Sequence, residues 1–367
     1  MAGGDHARSE AQGSGGERTF AAAPRSGALP REAAGPETAP EAAAARRIPA
    51  RLDLRRVAAA VIGGLVLYVA LAAFVESRVH AQGNRNPFFK VSTATVREPH
   101  LLVLGASRAL PLVYDDMNEV VAGRLGAPVM NLAMQGSGVV PNRLLADYFL
   151  REHGADNVLG VVYVLDSFAF DSPEWNEQRL VDVAIWQRAP LDPELAATLW
   201  TATREMRVPA SVFWNYVTGF PKLNDPAGWN EPDVWPDEAK FDATYFPNSL
   251  QEQARIAYLY PRGAPSIRPE YEEQFRSLAS ELTGRGIPLV VVSPPLRDAF
   301  LEAVPGEAEF KARLRALLDE LGVPYFDFSS GGYTDEHFLD PDHLNRAGAL
   351  RFLERDLVPM LAELGWR

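Results

Sequence analysis

The chain has 367 residues, 47% hydrophobic and 23% charged, with a formal net charge of −12. That length supports one large or two smaller units, and the acidic balance excludes the electrostatics of a nucleic-acid or bulk polyanion binder. With no cysteine, disulfides, thiolate catalysis and cysteine-ligated metals are excluded as well.

Residues 1–56 are rich in Ala, Gly, Pro, Glu and Arg and have almost nothing to bury, which predicts disorder. They hold nine arginines and seven acids, about +2, so the remainder carries about −14. Next comes "VAAAVIGGLVLYVALAAFV", Val57–Val75, 19 residues without a charge. At 1.5 Å per residue this just spans a hydrocarbon core of roughly 30 Å. A buried soluble helix is the bland alternative. A cleaved signal peptide fits poorly, because some 50 residues precede the run and no clear cleavage site follows. Arg46, Arg47, Arg51, Arg55 and Arg56 all precede it, so a single-pass signal anchor is expected. The N-terminus would be cytoplasmic and the domain extracytoplasmic, in a periplasm or at a cell surface.

Residues 76–100 read as a juxtamembrane linker. After them the chain alternates between strand and helix. "LLVLG" at 101–105, "PVMNLAM" at 128–134, "VLGVVYVLDS" at 158–167, "IPLVVVSPP" at 287–295 and "PYFDFS" at 324–329 are short apolar runs of the kind a buried parallel strand requires. Helices are predicted at about 110–125, 141–153, 269–285 and 307–321, and from about 345. The expectation is a three-layer α/β fold with a five-stranded parallel sheet over residues 101–367. An insertion at about 168–268 interrupts it and holds six of the seven tryptophans, Trp175, Trp186, Trp200, Trp214, Trp229 and Trp235. These either pack the insertion onto the sheet or line a groove for sugars or acyl chains.

Sites in such sheets lie beyond the strand C-termini. Ser107 follows the first strand on a tight turn, where its own N–H and a helix dipole can favour an anion. Gly136 follows the second strand and offers another backbone N–H. "HFLDPDHLNRAGALRF", 337–352, follows the last strand. Asp340 lies three residues before His343, around Pro341, so its carboxylate can reach one ring nitrogen and leave the other facing the site. Asn345 is placed to cap the final helix. Asp342 has no needed role and is expected to face solvent. His337 reads as a surface or supporting residue. No H-E-x-x-H, P-loop or Rossmann fingerprint occurs, and "DPD" lacks the ligands of an EF-hand, so neither cofactor nor metal is expected.

"GASR", "NLAMQGSG" and "DPDHLNRAG", in that order, resemble the SGNH (GDSL-type) hydrolase superfamily, and more narrowly its membrane-anchored branch with DltD-like and alginate-acetylation proteins. The resemblance covers 101–167 and 287–363. It implies a flavodoxin-like sheet, with Ser107 as nucleophile, His343 as general base and acid, Asp340 as its orienting carboxylate, and Gly136 as an oxyanion donor. The superfamily has an Asn after the third strand where this chain has Asp166 and Ser167. A carboxylate cannot donate, and one missing donor costs about 2.7–4 kcal/mol of transition-state stabilisation. The Ser167 hydroxyl or a group from the insertion would have to compensate. Arg108 and Asp166 are further candidates for meeting substrate. Arg108 would clamp an anionic group or serve in a structural salt bridge.

Two functions follow. One is a membrane-anchored serine esterase or O-acyltransferase acting on acyl esters of envelope polysaccharide or glycolipid, with a membrane protein as acyl-transfer partner. The other is a weak or inactive glycan- or lipid-binding subunit of an acylation or export assembly.

Overall fold

The computed structural model describes residues 53–224, 235 and 237–366. By internal contacts the chain divides into Met1–Val57 and Ala58–Arg367. Of residues 1–56, expected to be disordered, 1–52 lie outside the described residues, as does Trp229, whereas Leu54–Arg56 already belong to a helix.

The first element, α1 (Leu54–Gln82), carries the apolar run on into "ESRVHAQ" as one 29-residue helix. It is long and apolar enough to cross a membrane. The predicted linker is partly wrong. Asn86 caps α2 (Pro87–Thr93) by accepting from the amides of Phe88 and Phe89, with Pro87 at the first turn. Phe88 and Val91 are fully buried in the main core. Seven residues are too few for periodicity to reveal a helix, so the stretch reads as a linker in sequence.

The sheet follows as β1 (His100–Gly105), α3 (Met117–Leu125), β2 (Val129–Asn131), α4 (Val139–His153) and β3 (Val158–Val164). The insertion supplies α5 (Val183–Gln187), α6 (Pro193–Glu205), α7 (Ala210–Thr218), α8 (Phe220–Asn224) and α9 (Ser249–Leu259). The chain returns through α10 (Pro269–Gly284), β4 (Leu289–Ser293), α11 (Asp298–Ala303), α12 (Glu307–Leu321) and β5 (Tyr325–Asp327). It ends in α13 (Arg346–Phe352) and α14 (Val358–Glu363), joined through a wide turn at Leu353–Leu357. The helix expected at 110–125 starts later, because Ser107–Leu112 is a 3-10 turn containing Pro111.

All five strands are parallel, in the order β2-β1-β3-β4-β5. Val103 pairs with Val162, Val162 with Val290, and Val292 with Phe326. Alternate side chains feed two cores. Leu102, Leu104, Val161, Tyr163 and Val291 pack with α2, α4, α10, α12 and the insertion helices. Leu101, Val103, Val162, Val164 and Val292 pack with α3, α13 and α14. This is the expected three-layer flavodoxin-like arrangement, and it puts the topological switch between β1 and β3.

Phe88→Ala should cost about 3–5 kcal/mol in chemical denaturation, as for a fully buried aromatic. A loss well under 1 kcal/mol would return this stretch to a linker.

Candidate active site

Three chain segments meet at the switch point. The first is the end of β1. Gly105 N–H donates to Asn142 Oδ1 (2.8 Å) and Ser137 Oγ donates to Gly105 O (2.8 Å). These bonds tie β1 to the start of α4 and set the turn that presents Ser107.

The second is the loop after β5. It closes as a small hairpin, with Leu339 N–H donating to His343 O and Asn345 N–H to His337 O, both at 3.0 Å. At its tip Asp340 Oδ1 accepts from the amides of Asp342 (2.9 Å) and His343 (2.8 Å), in the manner of an Asx-Pro turn. Asp340 Oδ2 accepts from His343 Nδ1 at 2.7 Å. One carboxylate therefore folds the loop and orients the ring. Asn345 Oδ1 accepts from Gly348 N–H (3.0 Å), so the expected cap is present. Gly348 is needed for close approach, since a Cβ there would lie 2.0 Å from His337 O. His337 is half-exposed and pairs with Thr334.

His343 Nε2 lies 2.8 Å from Ser107 Oγ. Sequence positions 236 apart are thus joined in the chain Ser107–His343–Asp340, and both Ser107 and His343 are buried.

The third segment is the insertion. A cavity of about 410 Å³ opens at Ser107 and is lined by Gly136, Phe168, Trp175, Arg179, Arg255 and Tyr258, among others. Gly136 has φ +64°, and a Cβ on it would meet the Trp175 ring at 2.8 Å. The Trp175 and Tyr258 rings stand edge to face with centroids 5.3 Å apart. Sequence reasoning missed Trp175 as an individual residue, and missed Arg255 and Tyr258 altogether. The tryptophan richness of the insertion pointed to Trp175 alone, and no sequence signal marks Arg255 or Tyr258.

Four charges lie beside the Ser–His pair, and two sequence expectations change with them. Asp342 is not at the surface. It is almost fully buried, with Oδ1 2.8 Å from Arg255 Nε and Oδ2 3.1 Å from an Arg108 terminal nitrogen. Arg108 also ion-pairs with Asp166. Arg108 and Asp166 are buried and do not line the cavity, so they are not the substrate contacts expected of them. Arg108 takes the structural reading. The expected oxyanion role of Ser167 also finds no support, because its hydroxyl is 2.8 Å from Tyr260 Oη and outside the cavity lining.

The charges set the protonation of the site. Burial alone would raise the Asp342 carboxyl, but His343, Arg255 and Arg108 outweigh it and hold it well below the usual range. Burial pushes Asp166 up against the pull of Arg108. For His343, burial disfavours the imidazolium, yet Asp340 and Asp342 more than offset this and raise its pKa above the ordinary value. Asp237, Asp340 and His343 bring ligating atoms within 4.8 Å of one another and could hold a metal ion. In that grouping, Asp340 is already engaged by His343.

No family model and no curated protein matches the chain. Among solved structures it is similar to a Bacteroides fragilis protein assigned as an acylhydrolase. That match has TM-score 0.37 and 9% identity, over 76% of this chain and 94% of that one. A family two carbohydrate esterase from Clostridium thermocellum, in complex with cellohexaose, matches with TM-score 0.33 and 11% identity, over 75% of this chain and 67% of that one. At such scores the site stands on its own geometry.

Asp342→Ala leaves the buried Arg108 and the partly exposed Arg255 each short of a partner and should destabilise the fold by about 3–5 kcal/mol. Because its folded pKa is depressed, the contribution of Asp342 is present above the unfolded value of about 3.9 and lost as pH falls. Stability measured from pH 7 to 3 should therefore fall less steeply in the variant than in the parent.

Proposed function

We propose that the chain is a membrane-anchored, extracytoplasmic serine esterase or O-acyltransferase. Its substrates would be acyl esters of envelope polysaccharide or glycolipid. The observation that carries this reading is the unbroken chain from Ser107 Oγ through His343 to Asp340, at 2.8 and 2.7 Å, with Ser107 lining a cavity. A Ser–His–carboxylate chain with an open face is an acyl-transfer device.

In this reading Ser107 Oγ attacks the acyl carbonyl while His343 Nε2 takes the hydroxyl proton. The imidazolium is stabilised by Asp340, with Asp342 as a second negative charge 3.8 Å from Nδ1. The tetrahedral oxyanion is met by the amides of Ser107 and Gly136. As it collapses, the C–O bond to the alkoxide breaks and His343 returns its proton to the leaving oxygen. Water or a sugar hydroxyl, deprotonated by His343, then attacks the acyl carbon, and as the bond to Ser107 Oγ breaks His343 returns the proton to that oxygen. A membrane protein carrying acyl groups would be a natural donor for transfer.

The side-chain amide expected after β3 is missing, and Arg255 stands in for it. Its terminal nitrogen lies 3.5 Å from His343 Nε2, and it lines the cavity with Ser107 and Gly136. A guanidinium held by Asp342 can share negative charge developing on the substrate. The Trp175 and Tyr258 faces suit a sugar ring or an acyl chain.

The direct test is fluorophosphonate labelling of the full chain in detergent. Labelling should vanish in Ser107→Ala and fall at least 100-fold in rate in His343→Ala, on the order of a general base contribution. A folded parent that does not label would move the assignment to a glycan- or lipid-binding subunit. Ester turnover should rise with pH through the raised His343 pKa, because the base must be neutral. Asp340→Asn removes a charge that raises it, so the acid limb of kcat/KM should move to lower pH while the plateau drops roughly 10²–10⁴-fold. Arg255→Ala should lower kcat more than it changes KM. An unchanged kcat would remove Arg255 from the chemistry.

A further inference from the structure

The insertion has a second apolar face, lined by none of the residues of the catalytic cavity and packed beside α1. Ala210–Pro221, "ASVFWNYVTGFP", is 12 residues without a charge and forms α7 and the start of α8. Such a segment normally turns its apolar side chains inward, yet Trp214 is 58% exposed and Phe220 53%. On neighbouring α6, Trp200 is 42% exposed and packs on Phe213 at 5.1 Å. Single exposed apolar residues are ordinary, but three large aromatics on adjoining helices form a patch that calls for a partner.

Contacts with α1 indicate what that partner is. Tyr68 donates its hydroxyl to Thr218 O, and a cleft of about 710 Å³ runs between Leu65, Tyr68 and Ala72 on one side and Val217 and Leu223 on the other. Tyr68 lies seven residues before Val75, about 10 Å down the helix from the outer end of the apolar run. A segment touching α1 there must sit at the same depth as Tyr68.

The charges agree with this level. Glu76 is the first charged residue after the apolar run of α1, and Lys222 is the first after the run of α7 and α8. They are paired with each other, Lys222 Nζ to Glu76 Oε1 at 2.8 Å. Two charge-free stretches from distant parts of the chain therefore end at one polar boundary. Backbone at this depth must be internally satisfied. The segment is helical, Thr218 O is covered by Tyr68, and Thr218 Oγ1 donates to Trp214 O (2.7 Å).

We infer that α7 and α8 dip into the outer leaflet beside α1, so the protein meets the bilayer through a span and a second, monotopic contact. Trp214, Trp200 and Phe220 face lipid at interfacial depth, where amphipathic aromatics are favoured. The inference rests on the reading of α1 as a membrane span and is independent of the acyl-transfer chemistry.

The absence of cysteine makes the test direct. Val66→Cys, Trp214→Cys, Phe220→Cys and Ala362→Cys, each in the full chain, would be spin-labelled in phosphatidylethanolamine–phosphatidylglycerol nanodiscs. Collision with oxygen would be compared with collision with a nickel chelate. Labels at 214 and 220 should show an oxygen-to-nickel ratio several-fold above that at 362, on the opposite layer of the domain, and approaching that at 66. Labels at 214 and 220 that behave like 362, while 66 remains in lipid, would overturn the inference and leave the anchor standing. An aqueous label at 66 would overturn the anchor, and this inference with it. As a check without cysteine substitution, brominated lipids should quench the tryptophan emission of the parent, and Trp214→Phe should lose much of that quenching. Equal quenching in the two would count against the inference.

Discussion

The site depends on a row of four charges in alternating sign, Arg255, Asp342, Arg108 and Asp166, of which the last three are buried and Arg255 is partly exposed to the cavity. Isolated, each would be expensive to remove from water. In sequence they neutralise one another, and the breakdown of any link leaves an uncompensated charge. Their value lies in where they come from. Arg108 follows the serine directly, Asp342 precedes the histidine, Asp166 lies just after β3 and Arg255 belongs to the insertion. The row therefore fastens together the four segments whose relative positions decide whether Ser107 and His343 meet. It also gives Asp166 a role as the countercharge at the inner end of the row. Next to a buried Arg108, the position needs a countercharge more than a donor.

The sheet was legible because parallel strands buried on both faces read as uninterrupted apolar runs, and β1, β3 and β4 do so plainly. Ser107, Asp340 and His343 were legible because each depends on its own turn, whose chemistry is local. What sequence could not show was burial imposed from a distance. Asp342 looks like a spare acid in a polar loop, and only guanidinium groups 87 and 234 residues away take it out of water. Arg255 and Tyr258 sit on an ordinary amphipathic helix, with no spacing that marks them. The short helix at Pro87–Thr93 escaped because two phenylalanines in seven residues carry no period.

The insertion resolves into two working parts. Residues around 168–179 and 249–262 wall the cavity, where Trp175 sets the room available at Gly136 and α9 brings Arg255 to His343. Residues around 191–224 pack beside α1 instead, with Trp186 joining them to Phe88 and Tyr216. The tryptophans are neither all core nor all groove. Trp186 is interior, Trp175 belongs to the site, and Trp200 and Trp214 are on the outside.

The continuity of α1 has a mechanical consequence. The helix runs without a break from the apolar stretch to Gln82, and its last turns are held by Val75 and Val79 in the protein interior. A domain on a flexible leash samples every height and tilt within reach. On the proposal that α1 spans a bilayer, a domain fixed along that helix samples only rotation about the membrane normal and drift in the plane. Substrates would then have to come to one fixed altitude and one approach angle, which turns encounter into a two-dimensional search. Packing of the domain along α1 would then select substrates by their height above the bilayer, independent of any contact in the cavity.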